Sequence, residues 1–289
     1  MDRVNAGERL AADELLELAA TPDILALGML ADTVRRSLHG SQITYLRVAL
    51  CPFDKSFTDA VPPAAREIRI TGAPDTLDVA VTAVETARAV AGERAVSGFS
   101  WADVERLANA AGVSAANALD RLRAAGLDAI AHLSLDLIDN PAEALDRLVT
   151  AGYQRVRLTI DKAPAGARTT LLLRAAELQE AFACIRALSP LPFTLDGMRP
   201  TTGYDDVKTV AIARLAAPNI ATVQVDWLRY GPKLAQVALT FGADDVDNVT
   251  ASDAAPDGPR RAPLEDVRRN IEAAGFDPAE RDGRFALIA

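Results

Sequence analysis

The chain has 289 residues and is 49% hydrophobic, enough to bury one large core or two smaller ones. Its formal net charge of -9 repels phosphate backbones and argues against nucleic acid as a partner. With only two cysteines and two histidines, it cannot build a disulfide framework or a metal site rich in cysteine and histidine. The sequence has no long uninterrupted apolar run and no signal-peptide pattern in residues 1–7, so we expect a cytoplasmic protein without membrane contact.

The first forty residues are predicted to form a helical extension in front of the main domain. Helices are expected over residues 11–20 and 24–38, and the second begins at Thr21-Pro22-Asp23, a pattern typical of a capped helix start. We therefore expect a helical extension at residues 1–40 and a barrel domain at residues 41–289.

From residue 43 onward, β-branched runs alternate with segments whose apolar residues recur at helical spacing. The predicted strands are residues 43–50, 67–70, 94–99, 128–133, 155–160, 187–193, 220–227 and 243–248. The predicted helices are residues 75–90, 141–150, 168–182, 204–216, 233–241 and 263–274, with two more after caps at Ser100 and Ser114. Eight such repeats predict an α/β fold, a (β/α)8 TIM-type barrel that binds ligands at the carboxyl ends of its strands. The alternative, a doubly wound open sheet, is weakened because no Gly-x-Gly-x-x-Gly follows the first strand.

Three residues form the predicted acid–base set. His132 lies near the predicted end of strand four, where barrel enzymes place such groups. Asp136 lies just past the same strand and Asp161 follows strand five, so either carboxylate could pair with the imidazole. A buried core histidine is at least as good an interpretation, because the neighbours of His132 are apolar. Cys51 is a candidate nucleophile, but without a nearby histidine it is better interpreted as a small buried hydrophobic residue.

Several segments resemble one family, the radical-SAM barrels of the futalosine route to menaquinone. The resemblance is strongest to aminofutalosine synthase, with cyclic dehypoxanthinyl futalosine synthase and the CofH-type subunit of the F420 pathway as close relatives. The resembling segments are RVNAGER at 3–9, LGMLADTVRRSLHG at 27–40, residues 190–193, TGYDDVKTVAIARL at 202–215 and residues 227–247, which include GPKLAQVALTFGADDVD. The last two are the most specific, and the middle third of the chain matches only in rhythm.

The resemblance implies a [4Fe-4S] cluster and SAM as the family's cofactors. A Cys-x-x-x-Cys-x-x-Cys loop after strand one holds that cluster, and its free iron binds SAM. Here the corresponding residues 50–57 read LCPFDKSF and keep one cysteine of the three. Asp54 and Ser56 are poor ligands for a soft cluster. We therefore expect neither cofactor and no metal, and we expect radical-SAM activity to be lost.

The resemblance also implies residues that contact a ligand at the barrel mouth. They are Thr71, Gly72, Asp226, Trp227, Asp244, Asp245 and Asp247, and Arg199 is added for its own chemistry and position. The Thr-Gly pair stands where relatives have a glycine-rich turn against the methionine part of SAM, and the Asp-Trp pair ends strand seven. The arginine after strand six offers a fork for a carboxylate or phosphate. The three last aspartates match the family's GADD-x-D segment and either bind ligand hydroxyls or cap the turn around the last strand.

Two hypotheses of function follow. The first is a non-catalytic barrel that binds a futalosine-like or SAM-like ligand, or that serves as a partner subunit of an active radical-SAM paralogue or of a second copy of itself. The second is an enzyme without iron or SAM that uses His132 with Asp136 or Asp161 on a futalosine-like or related pathway intermediate.

Overall fold

The structure is a computed structural model that describes residues 2–5, 9–55, 61–194, 202–252 and 263–288. Three helices come first, α1 (Asp2–Asn5), α2 (Ala12–Ala20) and α3 (Ile24–His39). The carboxylate of Asp23 accepts a hydrogen bond from the amide of Ala26 and caps α3, as the predicted helix start requires.

Strands and helices then alternate through the rest of the chain. The first eight strands are β1 (Gln42–Pro52), β2 (Glu67–Thr71), β3 (Ala95–Ser100), β4 (Ala129–Ser134), β5 (Val156–Ile160), β6 (Ile185–Pro192), β7 (Thr222–Asp226) and β8 (Asp245–Thr250). The helices are α4 (Leu77–Ala91), α5 (Trp101–Ala110), α6 (Ala115–Ala124), α7 (Pro141–Thr150), α8 (Ala165–Phe182), α9 (Gly203–Ala216), α10 (Trp227–Leu239) and α11 (Pro263–Ala273). A short strand, β9 (Asp277–Glu280), comes last.

β1 closes the sheet into a barrel. Its C-terminal half pairs in parallel with β2, where Val48 lies opposite Glu67, and its middle pairs in parallel with β8, where Thr44 lies opposite Asp245. The strands from β2 to β8 follow one another in chain order. The predicted (β/α)8 barrel is therefore confirmed, and the open sheet is excluded.

Alternate strand residues face the apolar layer beneath the helices and the polar interior of the barrel. In β2, Ile68 is fully buried in the hydrophobic core. Its neighbours Glu67 and Arg69 instead reach across the barrel axis, to Arg157 on β5 and to Asp247 on β8. Charged residues that look like a solvated strand face in the sequence thus lie inside the barrel.

The structure departs from the predicted elements near the C-terminus. β9 pairs with the first residues of β1, where Gln42 lies opposite Asp277, and its four residues carry too little hydrophobic periodicity to be predicted. α10 begins at Trp227, directly after β7, and is interrupted at Gly231, whose φ of 73° suits glycine and precedes Pro232. The predicted helix over residues 233–241 is only its second part. Among the described helices, none is both long and apolar enough to cross a bilayer.

A candidate ligand-binding site at the barrel mouth

The carboxyl ends of the strands surround a cavity of about 410 Å³. Each of the eight barrel strands supplies lining residues, from Leu50 on β1 to Asp247 and Asn248 on β8. A volume of this size suits a small organic ligand, and the C-terminal face is where barrels of this kind bind their ligands. The structure therefore has a cavity at the carboxyl ends of the strands, where the sequence predicts the site.

Paired charges form the floor of the cavity. Arg69 holds both carboxylate oxygens of Asp247, at 3.0 and 3.1 Å, and Arg157 holds both of Glu67, at 3.1 and 2.5 Å. Burial by itself raises the pKa of the Glu67 carboxyl, but the guanidiniums of Arg157 and Arg69 outweigh it and hold that pKa below its usual range. Opposite charges therefore keep these buried groups ionised.

Below this level the ion pairs are buried away from the cavity. Arg281, just after β9, donates to both oxygens of Asp245 at 2.6 Å. The carboxylate of Asp244 accepts from the guanidinium of Arg214 and from the amide of Val223. β8 begins at Asp245 rather than at residue 243 as predicted, so these two aspartates lie at the start of the strand. The structure does not bring them to the cavity, whereas Asp247 does line it.

Aromatic and cationic side chains build one wall. The rings of His132 and Phe193 lie 4.3 Å apart between centroids, and the guanidinium of Arg229 lies 3.8 Å from the Phe193 ring centroid. All three residues line the cavity. Desolvation by burial lowers the pKa of His132 to about 4, even though the carboxylates of Asp103 and Asp161 oppose the shift. The imidazole is therefore neutral at neutral pH.

The two aspartates predicted to pair with His132 have other partners. Asp136 accepts hydrogen bonds from three consecutive amides, those of Asp161, Lys162 and Ala163, at 2.7 to 2.8 Å. Asp161 accepts from the hydroxyl of Thr194 at 2.5 Å. Neither aspartate lines the cavity, and neither is hydrogen-bonded to the imidazole in the part of the chain that the structure describes. The predicted acid–base set is thus not assembled as a hydrogen-bonded triad.

Asp226 lines the cavity and caps α10. Its carboxylate accepts from the amide of Arg229 at 2.8 Å and from the side-chain amide of Asn248 at 3.1 and 3.3 Å. Burial, with the nearby charge of Asp247, raises the pKa of this carboxyl. Trp227, the other member of the predicted pair, packs against the core and does not line the cavity.

The glycine turn after β2 also reaches the cavity through Thr71 and Gly72. Gly72 has a φ of 94°, and a Cβ added there would lie 2.7 Å from the ring of Phe53. Phe53 therefore covers the glycine on one side. Arg199, the remaining predicted ligand-binding residue, lies outside the described residues.

The thiols do not fit the cluster that the resemblance implies. A [4Fe-4S] cluster of this kind needs three thiolates, and the sequence has two cysteines. Cys51 lies near the end of β1 and Cys184 just before β6, so they sit at opposite ends of the barrel, and both are buried in the hydrophobic core. Burial raises the pKa of both thiols, that of Cys184 to about 11, which disfavours the thiolate that binds iron.

Fold and cavity together define a (β/α)8 barrel protein with a cavity at its C-terminal mouth. Its residues 194–288 match the family model described as the CofH/MqnC C-terminal region. The chain is 26% identical to the 5-amino-6-(D-ribitylamino)uracil--L-tyrosine 4-hydroxyphenyl transferase of Archaeoglobus fulgidus, over 90% of this chain and 92% of that protein. It is 23% identical to the aminodeoxyfutalosine synthase of Streptomyces coelicolor, over 99% and 92%.

Solved structures share the fold. Methylornithine synthase has a TM-score of 0.66 at 16% identity and covers 96% of both chains. The hydrogenase maturase HydG of Carboxydothermus hydrogenoformans has a TM-score of 0.70 at 13% identity, over 96% of this chain and 78% of that one. The predicted resemblance to the futalosine and F420 enzymes and the predicted barrel class are both confirmed.

Several cavity residues were not predicted from the sequence. Arg69 and Arg157 belong to strands whose alternating charges give no sign of which face points inward. Phe193 directly follows β6, and Arg229 lies in the first turn of α10, close to the predicted pair Asp226 and Trp227. A basic residue three positions beyond a predicted ligand carboxylate, on the first turn of the next helix, is the signal that could have found Arg229.

Proposed function

We propose that this chain is a ligand-binding barrel, homologous to the futalosine and F420 enzymes, that works without an iron-sulfur cluster and without radical chemistry. The observation that carries the proposal is the contrast between the cavity and the thiols. All eight strands line a cavity of about 410 Å³, while both cysteines are buried in the apolar core at opposite ends of the barrel. The chain has thus retained a ligand cavity but has not retained the cysteines that bind the cluster.

The packing after β1 supports the same proposal. The resemblance places the methionine part of SAM against the turn that Thr71 and Gly72 form. In this chain the ring of Phe53 covers Gly72, and the amide of Phe53 donates to the carbonyl of Thr71 at 3.0 Å. An aromatic side chain from the former cluster loop therefore occupies space beside the turn, and we expect SAM not to bind.

The lining residues favour a ligand that combines a ring with hydroxyl groups. Asp226 and Asn248 offer groups for hydroxyls, and Phe99, Phe193 and Tyr230 offer aromatic surfaces for a ring. The names of two relatives describe a ribityl-substituted uracil and a futalosine, both compatible with this chemistry. We therefore propose a nucleoside-like ligand.

Two buried polar atoms at the floor also favour a bound ligand or ordered water. Within the described residues, Nε of Arg157 and Oε1 of Gln224 have no hydrogen-bond partner, although both residues line the cavity. Leaving a buried donor or acceptor unpaired is unfavourable. A molecule in the cavity that satisfies both would stabilise the floor.

The first experiment tests the missing cluster. The purified chain is incubated anaerobically with iron and sulfide, desalted, and analysed for bound iron and for visible absorbance. We expect neither in stoichiometric amount. A stoichiometric cluster would contradict the proposal directly, whichever residues held it.

The second experiment tests the cavity with inosine as a neutral nucleoside probe in isothermal titration calorimetry. Ala131 lines the cavity, so Ala131→Phe fills it and should weaken inosine binding at least about tenfold. Ala102, an exposed residue on α5, gives the matched control Ala102→Phe, which should bind like the wild type. Equal binding by wild type and Ala131→Phe would place the site elsewhere.

We further propose that the chain acts beside a cluster-bearing paralogue or as a homo-oligomer. A barrel that is homologous to catalytic enzymes but lacks their radical chemistry can still deliver or retain the ligand of those enzymes, which supports a partner role. Co-expression of a tagged chain with a three-cysteine paralogue, followed by affinity purification and size-exclusion chromatography, tests it. Elution as a monomer without the paralogue would contradict both the proposed complex with the paralogue and the proposed homo-oligomer.

An alternative is an enzyme that uses His132 alone as acid or base. The position of His132 in the cavity wall and its neutral imidazole favour this alternative. His132→Phe keeps a ring against Phe193 but removes the proton-transferring nitrogens, so turnover of a pathway intermediate should be lost. Asp161→Asn, away from the cavity, should lose less. Full turnover in His132→Phe would end this hypothesis.

A further inference from the structure

The mouth cavity contains one arginine whose charge is not taken up by hydrogen bonds. Three arginines, Arg69, Arg157 and Arg229, line it within the described residues. The first two hold carboxylates of Asp247 and Glu67 through paired hydrogen bonds. The guanidinium of Arg229 has no hydrogen-bond partner in the described part of the chain, and its Nε is buried without one. The Nη donors of this guanidinium are therefore available to a ligand.

The position of this guanidinium is fixed without using those donors. It stacks at 3.8 Å from the centroid of Phe193, and 25% of the side chain remains exposed. Cation–π stacking holds a guanidinium plane on an aromatic face and leaves its N–H groups pointing outward at the edges. Arg229 is thus pre-oriented for a planar or tetrahedral oxyanion.

Among the described residues, Asp226 has the carboxylate nearest to Arg229, and this carboxylate does not satisfy the hydrogen-bond donors of the guanidinium. One of its oxygens lies 3.7 Å from Nε of Arg229, which is too long for a hydrogen bond. The same carboxylate already accepts from the amide of Arg229 and from Asn248. Asp226 therefore lowers the local positive potential only in part and competes weakly with an incoming anion.

We propose that Arg229 is the anion-recognition residue of this cavity and binds a carboxylate or phosphate group of the ligand through its guanidinium fork. The proposal rests on the proposed function, because it names a chemical group of the ligand for that same cavity. Bidentate hydrogen bonds from arginine to an oxyanion are both stronger and more directional than neutral ones. Arg229 thus sets the orientation of the ligand's acidic group beside Phe193.

Matched probe pairs test this recognition by calorimetry. Inosine 5′-monophosphate is compared with inosine, and benzoate with benzamide, so that each pair differs in its acidic group. We expect the wild type to prefer the charged member of at least one pair about tenfold. The pair that shows the preference identifies phosphate or carboxylate as the recognised group.

Three variants then locate the preference. Arg229→Gln should abolish it, whereas Arg229→Lys should keep part of it, because lysine retains the charge but not the fork. Asp226→Asn should widen the preference for the charged probe over its neutral partner, since it removes the competing carboxylate while a lost hydroxyl contact affects both members of the pair; a purely structural role of the pair would not widen the preference. Arg174→Gln, on the exposed face of α8, is the control and should match the wild type. Circular dichroism verifies that each variant is folded.

The outcomes separate the two proposals. Binding of inosine without preference for either charged probe would overturn the role of Arg229 and leave the ligand-binding barrel standing. A preference that persists in Arg229→Gln would also overturn it. Binding of no probe at all would count against both proposals. If Arg229→Gln does not fold, the opposite shifts expected of Arg229→Lys and Asp226→Asn decide the question.

Discussion

At the floor of the barrel, buried arginines are matched by carboxylates, whereas at the mouth the arginine is stacked on an aromatic ring and left open. The floor network, together with the ion pair directly below it, consists of Glu67, Arg69, Arg157, Asp245, Asp247 and Arg281. Its hydrogen bonds join β2 to β5 and to β8, strands that are not paired with each other. At the mouth, His132 and Arg229 each pack against the ring of Phe193, and within the described residues neither the imidazole nor the guanidinium has a hydrogen-bond partner.

This difference separates charges that hold the barrel together from charges that can bind. A buried ion pair in which both partners are hydrogen-bonded contributes little net energy, but removing one partner is costly because the other is left as an unpaired buried charge. Removing from a cavity wall a guanidinium that lacks hydrogen-bond partners should instead lower ligand affinity more than it lowers folding stability. The same residue type should therefore give opposite mutational phenotypes at the two levels.

The largest effect is expected at the floor. Glu67→Gln removes the charge that Arg69 and Arg157 share in a fully buried position, and it should lower the free energy of unfolding by about 3–5 kcal/mol. Urea denaturation followed by circular dichroism measures the change. Glu93→Gln, the same substitution at an exposed residue, should stay within about 0.5 kcal/mol of the wild type. A loss at Glu67 no larger than this control would contradict the role of the network.

Acid should weaken the fold in two steps. The folded-state pKa of Glu67 lies below the ordinary value of 4.5, so its stabilisation is present above that value and is lost as the pH falls below it. The pKa of His132 is lowered from 6.5 to about 4, so protonation of the unfolded state adds an earlier loss between those values. Each group contributes at most about 1.4 kcal/mol per pH unit. Denaturation curves from pH 8 to pH 3 should lose the first step in His132→Phe, and the second should become smaller in Glu67→Gln, where Asp247 and Glu280, whose pKa values are also lowered by neighbouring arginines, still contribute.

A smaller loss of stability is expected for Asp136, whose carboxylate fixes the start of the loop after β5. Asp136→Asn weakens three charge-assisted hydrogen bonds to consecutive amides and should reduce the unfolding free energy by about 1–3 kcal/mol. Asp139→Asn, three residues further on and exposed, provides the comparison and should have no measurable effect. Equal stability of the two variants would show that the amides are satisfied without the carboxylate.

The smallest effect is expected for the thiol near the mouth. Cys51 is fully buried in the apolar core beneath the helices, so Cys51→Ala should cost only about 1 kcal/mol of stability. Inosine affinity should not change, because the thiol does not line the cavity. A tenfold loss of affinity, which corresponds to about 1.4 kcal/mol, would place Cys51 in the site after all.

The sequence was sufficient for the barrel because its signals are local. Strand and helix positions follow from periodicity, and the observed elements β2 (Glu67–Thr71) and α7 (Pro141–Thr150) differ from the predicted ones by a residue at most. The expected mouth position of Asp244 and Asp245 is not observed, because both stand at the start of β8, which runs on to Thr250, and the mouth lies at the strand's other end. His132, Asp226 and Asp247 line the cavity, and their contact with a ligand stays a prediction.

Which side of a strand faces the axis could not be predicted. Arg69 and Arg157 alternate with apolar residues in the same way as surface charges would, and only closure of the sheet brings their partners together from distant strands. The pairing of Asp136 with backbone amides was likewise hidden, since amides carry no signal in the sequence. Contacts between distant segments, rather than residue types, therefore decided which carboxylates remain available to a ligand.

β1 pairs not only with β2 but also with β8 and β9, which the ribosome makes last. The first strand to be synthesised must therefore remain without most of its final partners until nearly the whole chain has emerged. Contacts of such long sequence separation slow folding and leave strand edges exposed in the meantime. Chaperone dependence and aggregation of truncated nascent chains should be set by this strand, and a circular permutation that places β1 after β8 should transfer the waiting edge from β1 to β2.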